Sequence, residues 1–174
     1  MSSERVPPLV AEFRKKYRAT MPGFYSGYAH AAATVAFTLG CAAWALLQLH
    51  KPTLVQWMTV PAVLVFGNFF EYFLHRWPLH RPWPLMRKVF DIHTGNHHHY
   101  YTHQAMRFYD HRDVYMVLFP WWAPMLVVIA LPVVATGLLQ LFTALTGVEV
   151  SSNVTYLMIA TGAVNFLLYE FMHF

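Results

Sequence analysis

Four long apolar runs constrain the fold of this chain more than any other feature of its sequence. They extend from about His30 to Leu49, from about Leu54 to Leu74, within Val114 to Leu145, and from about Val154 to Phe174. Each is long enough to supply the roughly 20 residues that a helix needs to cross a bilayer. Charged residues make up only 11% of the chain, against about 25% in a soluble domain. We therefore predict a membrane protein and exclude a nucleic-acid-binding domain.

The runs are continuously apolar rather than alternating, which favours helices over barrel strands. The third run is longer than one span requires, and Pro120, Pro124 and Pro132 lie within it. Because proline kinks or ends a helix, we expect a short first segment, a break near Pro120 to Pro124, and then a main helix. The predicted fold class is an all-α membrane protein with four transmembrane helices and a cytoplasmic, histidine-rich cap.

A polar lead precedes the first span. We predict that residues 1–28 form a cytoplasmic or interfacial lead and that residues 29–174 form the transmembrane domain. The lead contains a basic and aromatic stretch from Phe13 to Arg18, which we interpret as an interfacial helix lying against anionic head groups. The single cysteine, Cys41, excludes an intrachain disulfide.

Basic residues predict the orientation. Eleven of the twelve Lys and Arg residues precede the first span or lie in the loop from His75 to Asp113, and Lys51 is the exception. Cytoplasmic loops carry the excess of Lys and Arg in membrane proteins. Both termini and the histidine loop are therefore predicted to be cytoplasmic, in a bacterial inner membrane or, in a eukaryote, in the endoplasmic reticulum. The Asn153–Thr155 glycosylation triplet falls on an outer turn, but such triplets arise often by chance.

Eleven histidines are unusual in so apolar a chain, and seven of them lie between His75 and His103. The first group is His75 and His80, at the end of the second span. A spacing of five turns about 140° on an α-helix, which would separate the two rings. Because Pro78 biases the residue before it away from helix, we predict that His75 is the last helical residue and that the chain turns back to present His80.

The second group is His93, His97 and His98. On a helix His93 and His97 lie about 40° apart, which suits two ligands of one metal ion, and His98, about 100° further round, could reach a second ion. Imidazole suits zinc, copper, iron and nickel, and neither group contains cysteine. Either group alone could be an adventitious metal-binding patch, but two groups in one loop favour a metal site. We place His99 and His103 around that site or at the surface.

Two acidic residues support a metal site. Glu71 lies one helical turn before His75, and Glu170 lies three residues before His173. A charged side chain at membrane depth usually faces a partner or a cavity, and each carboxylate could orient a ligating imidazole through its second nitrogen. The alternative is that both reach water at the interface.

Together these residues resemble the fatty acid hydroxylase superfamily, which includes sterol desaturases and sphingolipid fatty acid hydroxylases. The resemblance extends roughly from Glu71 to the C-terminus and rests on four segments: His75-x4-His80, His93-x3-His97-His98, Met106 to Pro120, and Tyr169 to His173, which resembles the start of the family's third histidine box.

The resemblance implies a di-iron enzyme that hydroxylates or desaturates a lipid acyl or sterol chain. Dioxygen and an external electron donor, such as a cytochrome b5-like or ferredoxin-like protein, would be required, and zinc could replace iron in a purified form. No catalytic residue is predicted beyond the metal ligands, and no nucleic-acid partner is expected. The implied ligands are His75, His80, His93, His97, His98 and His173.

The chain departs from the family at its end. The family's third box continues into further histidines, whereas this sequence stops at Phe174. We therefore expect a fragment in which residues 1–174 alone hold fewer than two metal ions and are inactive. The alternative function is a non-enzymatic haem-binding or metal-binding multi-pass membrane protein, or a metal transporter.

Overall fold

A computed structural model describes residues 6–173 of the chain, except for the side chain of His173. Arg5 and Phe174, which the sequence analysis counted, lie outside the described residues. Within 6–173 the chain is helical and has no β-strand beyond an isolated bridge between Thr102 and Ala105. The main helices are α1 (Pro8–Thr20), α2 (Gly27–Leu47), α3 (Leu54–Leu79), α4 (residues 87–100), α5 (Ala123–Thr146) and α6 (Ser152–His173).

Four of these helices are long and apolar enough to cross a membrane. They are α2, α3, α5 and the part of α6 from Ser152 to Met172, with lengths of 21, 26, 24 and 21 residues. Their positions match the four apolar runs of the sequence, because continuous apolar segments satisfy their backbone groups internally only as helices. The prediction of an all-helical chain with four candidate membrane spans is confirmed.

The second span is longer than predicted. We expected the helix to end at His75, but α3 continues through a π-helical turn, His75–Leu79, with Pro78 inside it. In an α-helix the ring of Pro78 would collide with the carbonyl group four residues earlier. A π-helical turn is wider and bonded between residues five apart, so it accommodates the proline without ending the helix.

The third apolar run is broken near its prolines, as predicted. A 3-10 turn, His111–Met116, is followed by non-helical backbone over residues 117–122, and α5 then begins at Ala123. Pro124 occupies the first turn of α5, where a missing N–H group costs nothing. Pro132 lies inside α5 directly after a second π-helical segment, Leu126–Ala130.

The chain divides into two compact units. One consists of residues 6–31 and Phe70–Leu118, and the other of Ala32–Phe69 and residues 119–173. The first unit therefore joins the N-terminal helix α1 with the histidine-rich segment. The second contains most of the apolar spans.

Small residues allow the spans of the second unit to approach one another. Its buried core includes Ala42, Ala45, Ala160 and Ala163. Without a hydrophobic driving force between helices in lipid, close packing of small residues favours association of spans. At Gly67 of α3, an added Cβ atom would lie 2.8 Å from the side-chain nitrogen of Asn165 on α6, so any larger residue would require the Asn165 side chain to move.

Asn153 fastens the turn between α2 and α3 to the start of α6. Its Oδ1 accepts a hydrogen bond from the backbone N–H of His50 at 3.0 Å. Its Nδ2 donates to the His50 carbonyl and to Oε1 of Gln56, each at 3.0 Å. Asn153 is buried and its amide nitrogen is fully used, so this geometry disfavours glycosylation of the Asn153–Thr155 triplet.

Replacing Asn153 with alanine should destabilise the protein by about 1–3 kcal/mol, because two partly buried hydrogen bonds with the backbone of His50 are lost. Thermal unfolding in detergent measures the effect. The matched control is Asn68→Ala on α3, where an exposed amide bonds only to the Leu64 carbonyl of its own helix. Equal midpoints for Asn153→Ala and Asn68→Ala would contradict the fastening role.

Candidate metal centre

The π-helical turn at the end of α3 brings the first pair of histidines together. On an α-helix a spacing of five would separate the rings of His75 and His80, but in the wider turn residues five apart lie nearly above one another. Their Nε2 atoms are 3.1 Å apart. The predicted meeting of the two rings is correct, although the helix widens rather than ends.

The second group of histidines also lies on a π-helical segment. Residues Asp91–His97 form this segment within α4, and His98 follows it directly. The wide turn places both His97 and His98 against His93, with ring centroids 5.4 and 4.8 Å away. Both rings therefore contact His93, and the prediction that His98 could reach a second ion stays a prediction.

The two groups meet in one set of rings, which we call the histidine cluster: His75, His80, His93, His97 and His98. Each ring has at least two others with centroids 4.7–5.4 Å away, and His93 contacts all four. Ring nitrogens of His75, His80 and His93 lie within 4.8 Å of one another, which is the spacing of atoms that could share one metal ion.

His93 lies at the centre of the cluster and is 9% exposed. Its Nε2 atom is buried and has no hydrogen-bond partner among the described residues. Buried polar atoms almost always have a partner, and an exception points to a water or an ion. Burial, together with the neighbouring histidines, lowers the pKa of His93 from 6.5 to about 3. The ring is therefore neutral near pH 7 and keeps the lone pair that a metal ligand needs.

Thr94 links the two histidine groups, a role that sequence reasoning missed. Its hydroxyl donates a hydrogen bond to the Leu79 carbonyl at 2.6 Å, so it is left to accept from Nδ1 of His80 at 3.4 Å. This contact holds the proton of His80 on Nδ1 and leaves the lone pair on Nε2, which faces the cluster. A hydrogen bond of this kind fixes the ring orientation of metal-binding histidines.

A backbone carbonyl orients His97 in the same way. Nδ1 of His97 lies 2.6 Å from the carbonyl oxygen of Met116. Because a carbonyl can only accept, Nδ1 carries the proton and Nε2 carries the lone pair. Met116 ends the 3-10 turn His111–Met116, and no local sequence pattern connects it with His97.

The two acidic residues lie in different units. Among the described residues, Glu71 forms no hydrogen bond with a histidine. Glu170 is buried, and its Oε1 accepts from the backbone N–H of Phe119 at 3.0 Å, which attaches the segment before α5 to α6. The side chain of His173 lies outside the described residues, so its predicted role as a ligand, and that of Glu170 beside it, stay predictions.

The remaining histidines of the loop lie outside the cluster. Nδ1 of His99 contacts the Thr94 carbonyl at 3.2 Å, and its ring packs beside Phe13 of α1. His103 is exposed and has no hydrogen bond or ring contact with the described residues. Their predicted support of the metal ligands is untested, and the geometry gives neither a direct contact with the cluster.

The five members of the cluster are all imidazoles, with no thiolate among them. They define a candidate site for a borderline transition metal such as iron or zinc. The donor set fits such an ion, because one nitrogen is buried without a partner and two rings are oriented through their Nδ1 atoms. Comparison of the chain with protein-family models, curated proteins and solved structures finds no match. The resemblance to the hydroxylase superfamily therefore rests on the four sequence segments alone.

Removing the Thr94 hydroxyl should weaken metal binding on the order of tenfold, because His80 loses its orienting contact. Titration of the purified protein with Zn²⁺ or Co²⁺ measures this. Thr94→Val removes the hydroxyl at nearly constant shape, and Thr94→Ser should retain most of the affinity.

The matched control is Thr102→Val. The Thr102 hydroxyl is buried without a hydrogen-bond partner among the described residues, so its loss should leave the affinity unchanged. Wild-type affinity in Thr94→Val would contradict the orienting role.

Proposed function

We propose that the protein is a membrane-bound, dioxygen-dependent non-haem iron enzyme that hydroxylates or desaturates a lipid acyl or sterol chain. The observation that carries the proposal is the histidine cluster at the end of a membrane-spanning helix. The histidine motifs add the resemblance to the fatty acid hydroxylase superfamily. A site at the end of a long apolar helix suits a substrate that is dissolved in the bilayer.

Iron bound at this site would supply the activation of dioxygen, which no side chain can perform. His75, His80 and His93 are the described residues best placed to hold one ion. His97 and His98, whose rings contact His93, are the described candidates for a second ion. In hydroxylation, a C–H bond and O2 would give C–OH and water, with two electrons from an external donor and two protons.

The chain's own residues have binding and orienting roles in this proposal. The cluster histidines donate neutral nitrogens, while Thr94 and the Met116 carbonyl direct two of the rings. None of them is proposed to transfer a proton to the substrate. A cytochrome b5-like or ferredoxin-like protein is the proposed electron donor.

The ring spacing favours a non-haem site over the alternative of a haem-binding protein. A bis-histidine haem needs a porphyrin between its two ligating rings. The centroids of His75 and His80 are only 4.7 Å apart, which leaves no space for the macrocycle. An absorbance spectrum of the purified protein distinguishes the alternatives, since a haem protein has a sharp Soret band and a non-haem iron site has none.

Growth of an expression host under ¹⁸O2 tests the enzymatic proposal. The protein is expressed at full length. Mass spectrometry of extracted lipids should find an ¹⁸O-labelled lipid with the wild-type protein and lose it with His80→Ala, because the site loses a ligand.

The control is His50→Ala. His50 is exposed, and its hydrogen bonds are made by its backbone N–H and carbonyl groups, which the substitution keeps. It should retain the labelled product. The proposal fails if iron-loaded wild-type protein oxidises no lipid, or if His80→Ala retains the product.

The distribution of basic residues supports a cytoplasmic histidine cluster and cytoplasmic termini. In a protein without Cys41, a cysteine at exposed Ser152 should react with an impermeant thiol reagent added to intact cells. A cysteine at exposed Gln104 should react only after the cells are opened. Labelling of Gln104→Cys in intact cells would reverse the proposed orientation.

A further inference from the structure

Two arginines, the buried Arg14 and the partly buried Arg18, attach α1 to the end of the histidine-bearing helix α4 and the segment that follows it. Arg14 is 2% exposed and donates to three backbone carbonyls: Tyr100 at 2.9 Å, Ala105 at 2.5 Å and Arg107 at 2.8 Å. The last carbonyl groups of a helix lack partners within it and carry partial negative charge. Arg14 satisfies one of them, the Tyr100 carbonyl, and two carbonyls of the loop that follows α4.

Arg14 is also enclosed by aromatic rings. Its guanidinium carbon lies 5.1 Å from the ring centroids of both Tyr100 and Tyr101. Cation–π contacts of this kind strengthen when the charge is removed from water. Arg14 therefore contacts the C-terminal end of α4 in two ways, through the Tyr100 carbonyl and through the rings of Tyr100 and Tyr101.

Arg18 holds a second point, the buried carboxylate of Asp113. Its Nε and Nη2 atoms donate to the two oxygens of Asp113 at 2.6 and 2.8 Å, and Asp113 is 0% exposed. The hydroxyl of Tyr100 and the backbone N–H of Tyr109 donate to the same carboxylate. Burial alone would raise the pKa of Asp113, but these hydrogen bonds outweigh it and lower the pKa, so the group stays ionised.

Asp113 lies in the 3-10 turn that orients His97. The turn runs from His111 to Met116, and the Met116 carbonyl faces Nδ1 of His97. The hydroxyl of Tyr101 donates to the backbone carbonyl of Asp113 at 2.9 Å. A continuous series of hydrogen bonds thus connects Arg18 with the turn whose last carbonyl directs a ring of the histidine cluster.

We infer that α1 positions the metal ligand His97, with Arg18 and Asp113 as positioning residues that act through the His111–Met116 turn. This inference rests on the proposed metal site. It differs from the interfacial role that the sequence suggested for α1, because Arg14 and Arg18 face the interior of the unit. Lys15 and Lys16 are the exposed basic residues of the helix.

Co²⁺ titration of the purified protein tests the inference, with two readouts: the dissociation constant, and the visible d–d absorption that reports coordination geometry. Arg18→Ala should weaken Co²⁺ binding on the order of tenfold and change the spectrum, as loss of groups behind a ligand does. Arg18→Lys keeps the charge without the paired donation, so it should recover part of the affinity.

Tyr101→Phe is the mildest variant, because it removes only the hydroxyl that holds the Asp113 carbonyl. It should lower the affinity even if Arg18→Ala does not fold. Lys15→Ala, on the exposed side of the same helix, is the control and should match the wild type in both readouts. Thermal unfolding of each variant separates a positioning role from a merely stabilising one.

The outcomes separate this inference from the proposed function. Wild-type protein that does not bind Co²⁺ would overturn the metal site and the inference together. If the wild type binds, and the folded Arg18→Ala and Tyr101→Phe variants have its affinity and spectrum, only the positioning role is overturned. Reduced affinity with an altered spectrum in both variants, and in neither readout of Lys15→Ala, supports it.

Discussion

The buried carboxylate of Asp113 is the interaction on which the histidine-bearing unit depends. An unpaired charge in such a site would cost several kcal/mol, so Asp113 must gather donors, and it gathers them from three parts of the chain. Arg18 comes from α1, Tyr100 from the end of α4, and the Tyr109 N–H from the loop that follows α4. Satisfying one charge thereby fixes the N-terminal helix, the histidine helix and the turn that faces His97.

Widened helical turns determine which histidines meet. On regular α-helices the spacings of His75 with His80 and of His93 with His98 would direct the rings apart. Both segments are π-helical, and the rings converge on His93. π-Helical turns are often found at functional sites, which agrees with a metal-binding role for these two segments. The orienting contacts of Thr94 then connect one segment with the other.

The two units are held together by different kinds of contact. Close packing of alanines and the approach at Gly67 hold the spans of one unit together, and Asn153 fastens its turn through backbone groups. In the other unit, hydrogen bonds of polar and aromatic residues hold the segments that orient the imidazole rings. Tyr100 and Tyr101 are buried in this unit beside Arg14, and so do not belong to an interfacial aromatic belt.

The sequence alone determined the four helices that are long and apolar enough to cross a membrane and the break before α5, because apolar length and proline act locally along the chain. It also determined which histidines belong together, since their spacing is local. Only the tertiary structure decided that α3 continues past His75, that Thr94 orients His80, and that Arg18 pairs with Asp113. The first depends on a π-helical turn that accommodates Pro78. The other two depend on partners that are distant in sequence, a carbonyl for the Thr94 hydroxyl and a guanidinium for the Asp113 carboxylate. No periodicity in the sequence records such partners.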